Sequence, residues 1–221
     1  KRIALFSRKC DSQVMPSSSN FAEITDLLQP QFPDGVEEAL NAMDEEAKNL
    51  QWSVTAVKKK AAERTGLTDF GDDLLEEPLQ LLVNIGESIQ TLRPSGKVSF
   101  WNTLIANASQ RLLIVDYIKW NPEVHNIDIK SPIIIAGQPR TGTTHLHNLI
   151  ASDPSLRSLQ YWESLEPVPP KDEQGKSFAV DPRYKRTEST LAGLNYALPY
   201  FKRMHDMYAA HVHEEIQLMM P

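Results

Sequence analysis

Apolar residues recur at three- and four-residue steps from Val36 to Ile118, the spacing that puts one stripe on one face of a helix. Val36, Leu40 and Met43 open the pattern, with Asp34 at the expected N-cap. A second helix is predicted from about Ser53 to a glycine stop at Gly66, and a third from about Leu74 to Leu92, ahead of Pro94. The fourth is the clearest. Val98, Trp101, Leu104, Ile105, Ala108, Leu112, Val115 and Ile118 share one stripe, which Asn121-Pro122 terminates. The pattern therefore predicts a flexible arm over residues 1–30, where Met15-Pro16-Ser17-Ser18-Ser19 reads as linker, and a helical region over 31–125. Asp69-Phe70-Gly71 spells a magnesium-binding tripeptide of kinases, but nothing else of a kinase surrounds it, so a turn is expected.

The periodicity changes at Pro132. Ile133-Ile134-Ile135-Ala136 is a short continuous apolar run, which predicts a buried parallel strand. It runs into Gly137-Gln138-Pro139-Arg140-Thr141-Gly142-Thr143-Thr144, after which Leu146, Leu149 and Ile150 resume a helical spacing that breaks at Asp153-Pro154. Strand, glycine-bearing loop and helix open an α/β phosphate-binding domain. The expected fold is thus a P-loop-containing parallel sheet with helices on both faces, preceded by the all-helical region.

Composition narrows the partners. A hydrophobic fraction of 41% suits a globular core, and a net charge of −6 offers no basic surplus for nucleic acid. No apolar stretch reaches the length of a membrane helix. The single cysteine, Cys10, leaves no internal disulfide and suits a reducing compartment, so a cytoplasmic protein is expected.

The loop carries the chemistry. Its spacing copies the P-loop frame G-x-x-x-x-G-K-[ST], except that Thr143 stands at the lysine position. Gly137 and Gly142 let the backbone curl so that successive N–H groups face one anion, and the helix from about Thr143 adds its positive end. Thr143 and Thr144 supply hydroxyls, and Arg140 supplies a planar cation. The nucleotide-hydrolysing loops use the lysine together with Mg²⁺ at the terminal phosphates. With the cation moved to Arg140, a single phosphate is the better match.

Pro139 to Thr144 resembles the 5′-phosphosulfate loop of sulfotransferases that use 3′-phosphoadenosine 5′-phosphosulfate (PAPS). Thr65 to Asp72, Ile127 to Ile150, Asp153-Pro154, Leu159 to Glu163, Asp181-Pro182-Arg183 and His205 extend the resemblance to the bacterial-type P-loop sulfotransferases. It implies that Arg140, Thr141, Gly142, Thr143 and Thr144 hold the donor, that no metal is needed, and that the acceptor is a hydroxyl of a small molecule. It also implies that residues 126–221 are a truncated N-terminal part of the domain, because the family holds the donor's 3′-phosphate through residues further on.

Two residues are candidates for the general base. Glu163 matches a family glutamate at this distance from the loop, and a strand over Leu159–Glu163 would bring it beside the loop. His205 stands at about the separation of the catalytic histidine in the cytosolic branch of the family, and histidine titrates near neutral pH. His211 and His213 lack the spacing of a zinc pair. Glu166 to Pro182, rich in proline and charge, reads as a long surface loop. Two other functions fit less of the chain: a nucleotide kinase or NTPase with an atypical loop, and an interaction module with a vestigial anion site.

Overall fold

The computed structural model describes residue 26 and residues 28–175, 181–204 and 206–220, with the Met204 side chain outside the description. The chain divides between Phe32 and Pro33. Before the division, the described residues form a turn in which the Gln31 N–H donates to the Asp26 carboxylate at 2.9 Å. The rest of the predicted arm, including Cys10, lies outside the described residues.

After the division, four helices form the first packed region: α1 (Val36–Ala47), α2 (Val54–Thr65), α3 (Glu76–Ser88) and α4 (Pro94–Trp120). Local chemistry bounds α2 at both ends. The Ser53 hydroxyl accepts from the Ala56 N–H, and Gly66 ends the helix at φ 72°, a left-handed conformation that costs glycine little. α4 starts with proline at its first position but has no side-chain cap of its own. Asp44 of α1 fills that role from outside, accepting from the Ser95 N–H at 2.6 Å and from Arg93 Nε at 3.0 Å. A single carboxylate thus satisfies a helix N-terminus and fixes α1 against it.

The core lies where α2 and α3 meet α4. Val54, Val57, Ala61, Leu79, Val83, Trp101, Leu104, Ala108 and Leu112 pack together, with Val57, Ala61 and Leu112 fully buried. The predicted turn at Asp69-Phe70-Gly71 links α2 to α3 and is fastened to α4. Arg111 Nε donates to the Phe70 carbonyl at 2.9 Å, and Lys119 pairs with Asp69.

Gly86 of α3 faces the Trp52 ring so closely that an added Cβ would sit 2.1 Å from one ring carbon and 2.8 Å from Phe100. Replacing a helical glycine with alanine usually stabilises by about 0.5–1 kcal/mol. Here the sign should reverse. Gly86→Ala is expected to destabilise by roughly 1–3 kcal/mol, the cost of overpacking, as measured by urea unfolding.

The second region holds α5 (Thr143–Ala151), α6 (Tyr161–Leu165), α7 (Pro182–Ala197) and α8 (Phe201–Met204). Trp162, Ser164, Thr187, Leu191 and Ala209 are buried there. Residues 209–213 run antiparallel to 159–162. The Trp162 N–H donates to the Ala209 carbonyl at 3.1 Å, the Tyr161 N–H to His211 at 2.9 Å and the His213 N–H to Leu159 at 2.9 Å. These bonds yield one isolated bridge, Gln160 with Val212.

The expected parallel sheet is not observed: among the described residues there is no strand and no sheet. Ile133–Ala136 carries no regular secondary structure and makes no ladder, and Ile133 and Ile134 are 58% and 80% exposed. A β-strand exists only through hydrogen bonds to a neighbour, and no described segment offers 133–136 an edge. Leu159–Glu163 likewise forms a bridge residue and a helical turn rather than a strand. There the Gln160 side chain and the Glu163 side chain complete a reciprocal capping box, which favours helix locally.

Glu166–Gly175, the described first part of the predicted surface loop, is more fixed than its composition suggests. Arg186 of α7 bonds Glu166 at 2.7 Å and Glu173 at 2.8 Å, and both acids hold its guanidinium further above its usual range. Lys171 reaches Asp116 of α4 at 3.1 Å. Residues 176–180 lie outside the described residues.

Candidate functional site

The site is a loop feeding a helix. Thr141 Oγ1 donates to the Gln138 carbonyl at 2.6 Å, closing the loop across its own turn. Two residues take left-handed backbone angles, Arg140 at φ 66° and Gly142 at φ 92°. For Gly142 this is unstrained, whereas for Arg140 it costs energy that the loop must sustain. Gly137 is required by close approach: a Cβ there would lie 2.7 Å from Thr143 Cγ2 and 3.2 Å from Thr141 Oγ1.

α5 starts without a capping side chain at Gly142, and its first closing bond runs from the Leu146 N–H to the Gly142 carbonyl at 3.0 Å. The N–H groups of Thr143, Thr144 and His145 therefore have no partner among the described residues. Three N–H groups at the positive end of a helix dipole form a ready anion cradle. The Arg140 side chain stands exposed, with no bond to another described residue. Arg140, Thr141, Gly142, Thr143 and Thr144 are thus contiguous in one turn, and Thr141 spends its hydroxyl hydrogen on the loop itself. The loop lines neither of the small clefts flanking α4, of about 190 and 260 Å³, which are below the usual size of a nucleotide pocket.

Residues 132–221 match the family model described as the sulfotransferase family. Two solved structures resemble the chain, each at 29% identity over 76% of it: sulfotransferase STF1 from Mycobacterium tuberculosis H37Rv, with a TM-score of 0.62, and sulfotransferase STF9 from Mycobacterium avium, with 0.64. The chain spans 46% and 43% of those two proteins, less than half of either. No curated protein matches it.

Within the segment that matches this family model, Glu163 sits in the first turn of α6 with both carboxylate oxygens engaged. Oε2 accepts from the Gln160 N–H at 3.1 Å, and Oε1 accepts from Arg157 Nη2 at 2.8 Å. Sequence reasoning missed the Arg157 contact, because six intervening positions of irregular chain give no register. A helix-capping role for Glu163 is the alternative to catalysis in the sequence, but Gln160 in place of the usual Ser or Thr leaves the capping box without its sequence signature. His205 lies outside the described residues. His211 is buried, with its ring 5.4 Å from that of Tyr208, and His213 packs 4.7 Å from Tyr161. Burial pushes the Tyr161 hydroxyl above its usual range, which suits a packing residue better than a base. Among the described residues no cluster of three or more His, Cys, Asp or Glu could hold a metal ion.

Behind α6, Arg183 lies over the Trp162 ring at 4.6 Å and bonds Asp181 at 2.7 Å and the Glu166 carbonyl at 2.8 Å. The Arg183 bond holds the Asp181 carboxyl below the ordinary range. Asp181 also caps α7 by accepting from the Arg183 N–H. This one arginine therefore ties the start of α7 to the element that carries Glu163.

Among the described residues no helix is long and apolar enough to cross a membrane.

Proposed function

We propose that the protein containing this chain is a PAPS-dependent sulfotransferase acting on a hydroxyl of a small acceptor. One observation carries the reading. Inside a segment of sulfotransferase sequence, three unpartnered N–H groups open α5 beside a free arginine, and threonine replaces the nucleotide-loop lysine. That donor set fits one phosphate group, and it lacks the lysine that nucleotide loops set on the terminal phosphates.

PAPS supplies an activated sulfuryl group; the rest is the work of the chain. Arg140 and the N–H groups of Thr143, Thr144 and His145 would bind the 5′-phosphosulfate end and stabilise negative charge on the departing phosphate. Thr144 and Thr143 would add hydroxyl bonds, while Thr141 and Gly142 keep the loop in shape. Glu163 would take the acceptor's hydroxyl proton as the new oxygen–sulfur bond forms and the bond from sulfur to the phosphate oxygen breaks. His205 is the other candidate for that proton. A cytoplasmic setting fits this chemistry.

The test is ligand stabilisation of the full-length protein. Saturating 3′-phosphoadenosine 5′-phosphate at about 100 times Kd should raise Tm by about 5 °C, and ATP–Mg²⁺ should do nothing. Gly137→Ala, which drives a methyl into Thr143, should weaken that binding about tenfold. Preference for ATP–Mg²⁺ would favour a nucleotide kinase, and failure of both ligands would favour a non-enzymatic role.

A further inference from the structure

Arg157 has no part in the family resemblance, yet it is the side chain that touches the candidate base. Its Nη2 donates to Glu163 Oε1 at 2.8 Å while the Gln160 N–H donates to Oε2 at 3.1 Å. The two donors approach different oxygens of the same carboxylate, so together they fix its torsion and not only its position. Gln160 and Glu163 belong to α6, but Arg157 comes from the irregular segment that follows the Asp153-Pro154 break after α5. The arginine thereby links the helix that starts at the anion cradle to the carboxylate on the next element.

The asymmetry of exposure argues against a stabilising purpose. The Arg157 side chain is 75% exposed and that of Glu163 is 21% exposed. Ion pairs with one solvated long partner contribute little to stability. What such a pair does supply is orientation, because the single charge-assisted bond from Arg157 Nη2 holds the one carboxylate oxygen that the Gln160 N–H does not. Arg157 bonds only Glu163 among the described residues, so no competing contact explains its placement.

We propose that Arg157 is a positioning residue that sets the orientation of the Glu163 carboxylate for proton abstraction from the acceptor. The inference rests on the reading of Glu163 as the base. Misplaced catalytic groups lose rate while ground-state binding of a remote ligand survives. Arg157→Ala in the full-length protein should therefore lower kcat about tenfold, leaving the KM for PAPS unchanged. Arg157→Lys, which keeps the charge and loses the fork, should recover part of the rate.

Turnover is followed with PAPS and a panel of simple alcohols and phenols, using the acceptor that the wild type sulfates fastest. The decisive comparison is the double variant: Arg157→Ala with Glu163→Gln should be no slower than Glu163→Gln alone, because one residue acts through the other. A second readout needs no turnover. Exchange of the Gln160 amide proton should quicken about tenfold in Arg157→Ala, as the carboxylate it bonds loses its second anchor, while Tm stays within about 2 °C of wild type.

Unchanged kcat in Arg157→Ala, additive losses in the double variant, or a raised KM for PAPS with unchanged kcat would each overturn the proposal; the last would make Arg157 a donor ligand. Full activity in Glu163→Gln would instead remove the base reading and the proposal with it. Absence of turnover in the wild type would remove both as well.

Discussion

Arg140→Ala should abolish stabilisation by 3′-phosphoadenosine 5′-phosphate and reduce sulfuryl transfer by about 10²–10³-fold, the usual loss when one preorganised donor to a developing anion is removed. The expectation is large because the rest of the cradle is neutral. Thr143 occupies the position at which a nucleotide loop carries lysine, so Arg140 is the one full positive charge in Gly137–Thr144. Arg140→Lys should fall between, since an ammonium keeps the charge but cannot make two parallel bonds to one phosphate.

The backbone offers a control that separates ligand loss from misfolding. Arg140 has φ 66°, where a side chain costs about 1 kcal/mol or more and glycine costs nearly nothing. Arg140→Gly should therefore lose ligand binding as fully as Arg140→Ala while its unfolding midpoint stays equal to or above that of wild type. Strain of this kind survives where function maintains it, and relief of strain with loss of binding is the signature to look for. If Arg140→Gly bound 3′-phosphoadenosine 5′-phosphate as tightly as wild type, the loop's cation would have no part in the site.

The helical region was legible because its signals are local. Ser53 and Gly66 bound α2 by capping, and the stripe from Val98 to Ile118 with Asn121-Pro122 bounds α4. Asp34 was one residue off: Gly35, left-handed at φ 78°, is the N-cap of α1. The start of α5 at Thr143 follows from the glycine before it, so this helix N-terminus could also be placed from sequence. The sheet could not. An apolar run such as Ile133–Ala136 expresses a preference for extended backbone, but pairing depends on a second segment that no local pattern specifies.

Charged clamps were hidden for the same reason. Glu166, Lys171 and Glu173 look like solvated loop charges until α7 brings Arg186 to two of them and α4 brings Asp116 to the third. The candidate site divides along this line. Its loop half depends on spacing within one turn, and its Glu163 half depends on Arg157 and Arg183 arriving from elsewhere.

Glu163→Gln should lower kcat by about 10²–10⁴-fold, the range for loss of a positioned general base, with little change in PAPS affinity. Glutamine is the informative substitution because it keeps the shape and the bonds that hold α6 together. Its amide oxygen can still accept from either the Gln160 N–H or Arg157, so the capping box is weakened by about 1 kcal/mol rather than removed. What glutamine cannot do is accept the acceptor's proton. A structural carboxylate would show the reverse pattern, with a lowered Tm and transfer intact. The Glu163 side chain is 21% exposed and its oxygens are held by neighbours on two sides, so a purely capping role predicts a stability loss that Glu163→Ala would reproduce and enlarge. A kcat near wild type in Glu163→Gln would pass the proton to His205, and His205→Ala should then carry the loss instead. The two variants measured side by side decide which residue takes the proton.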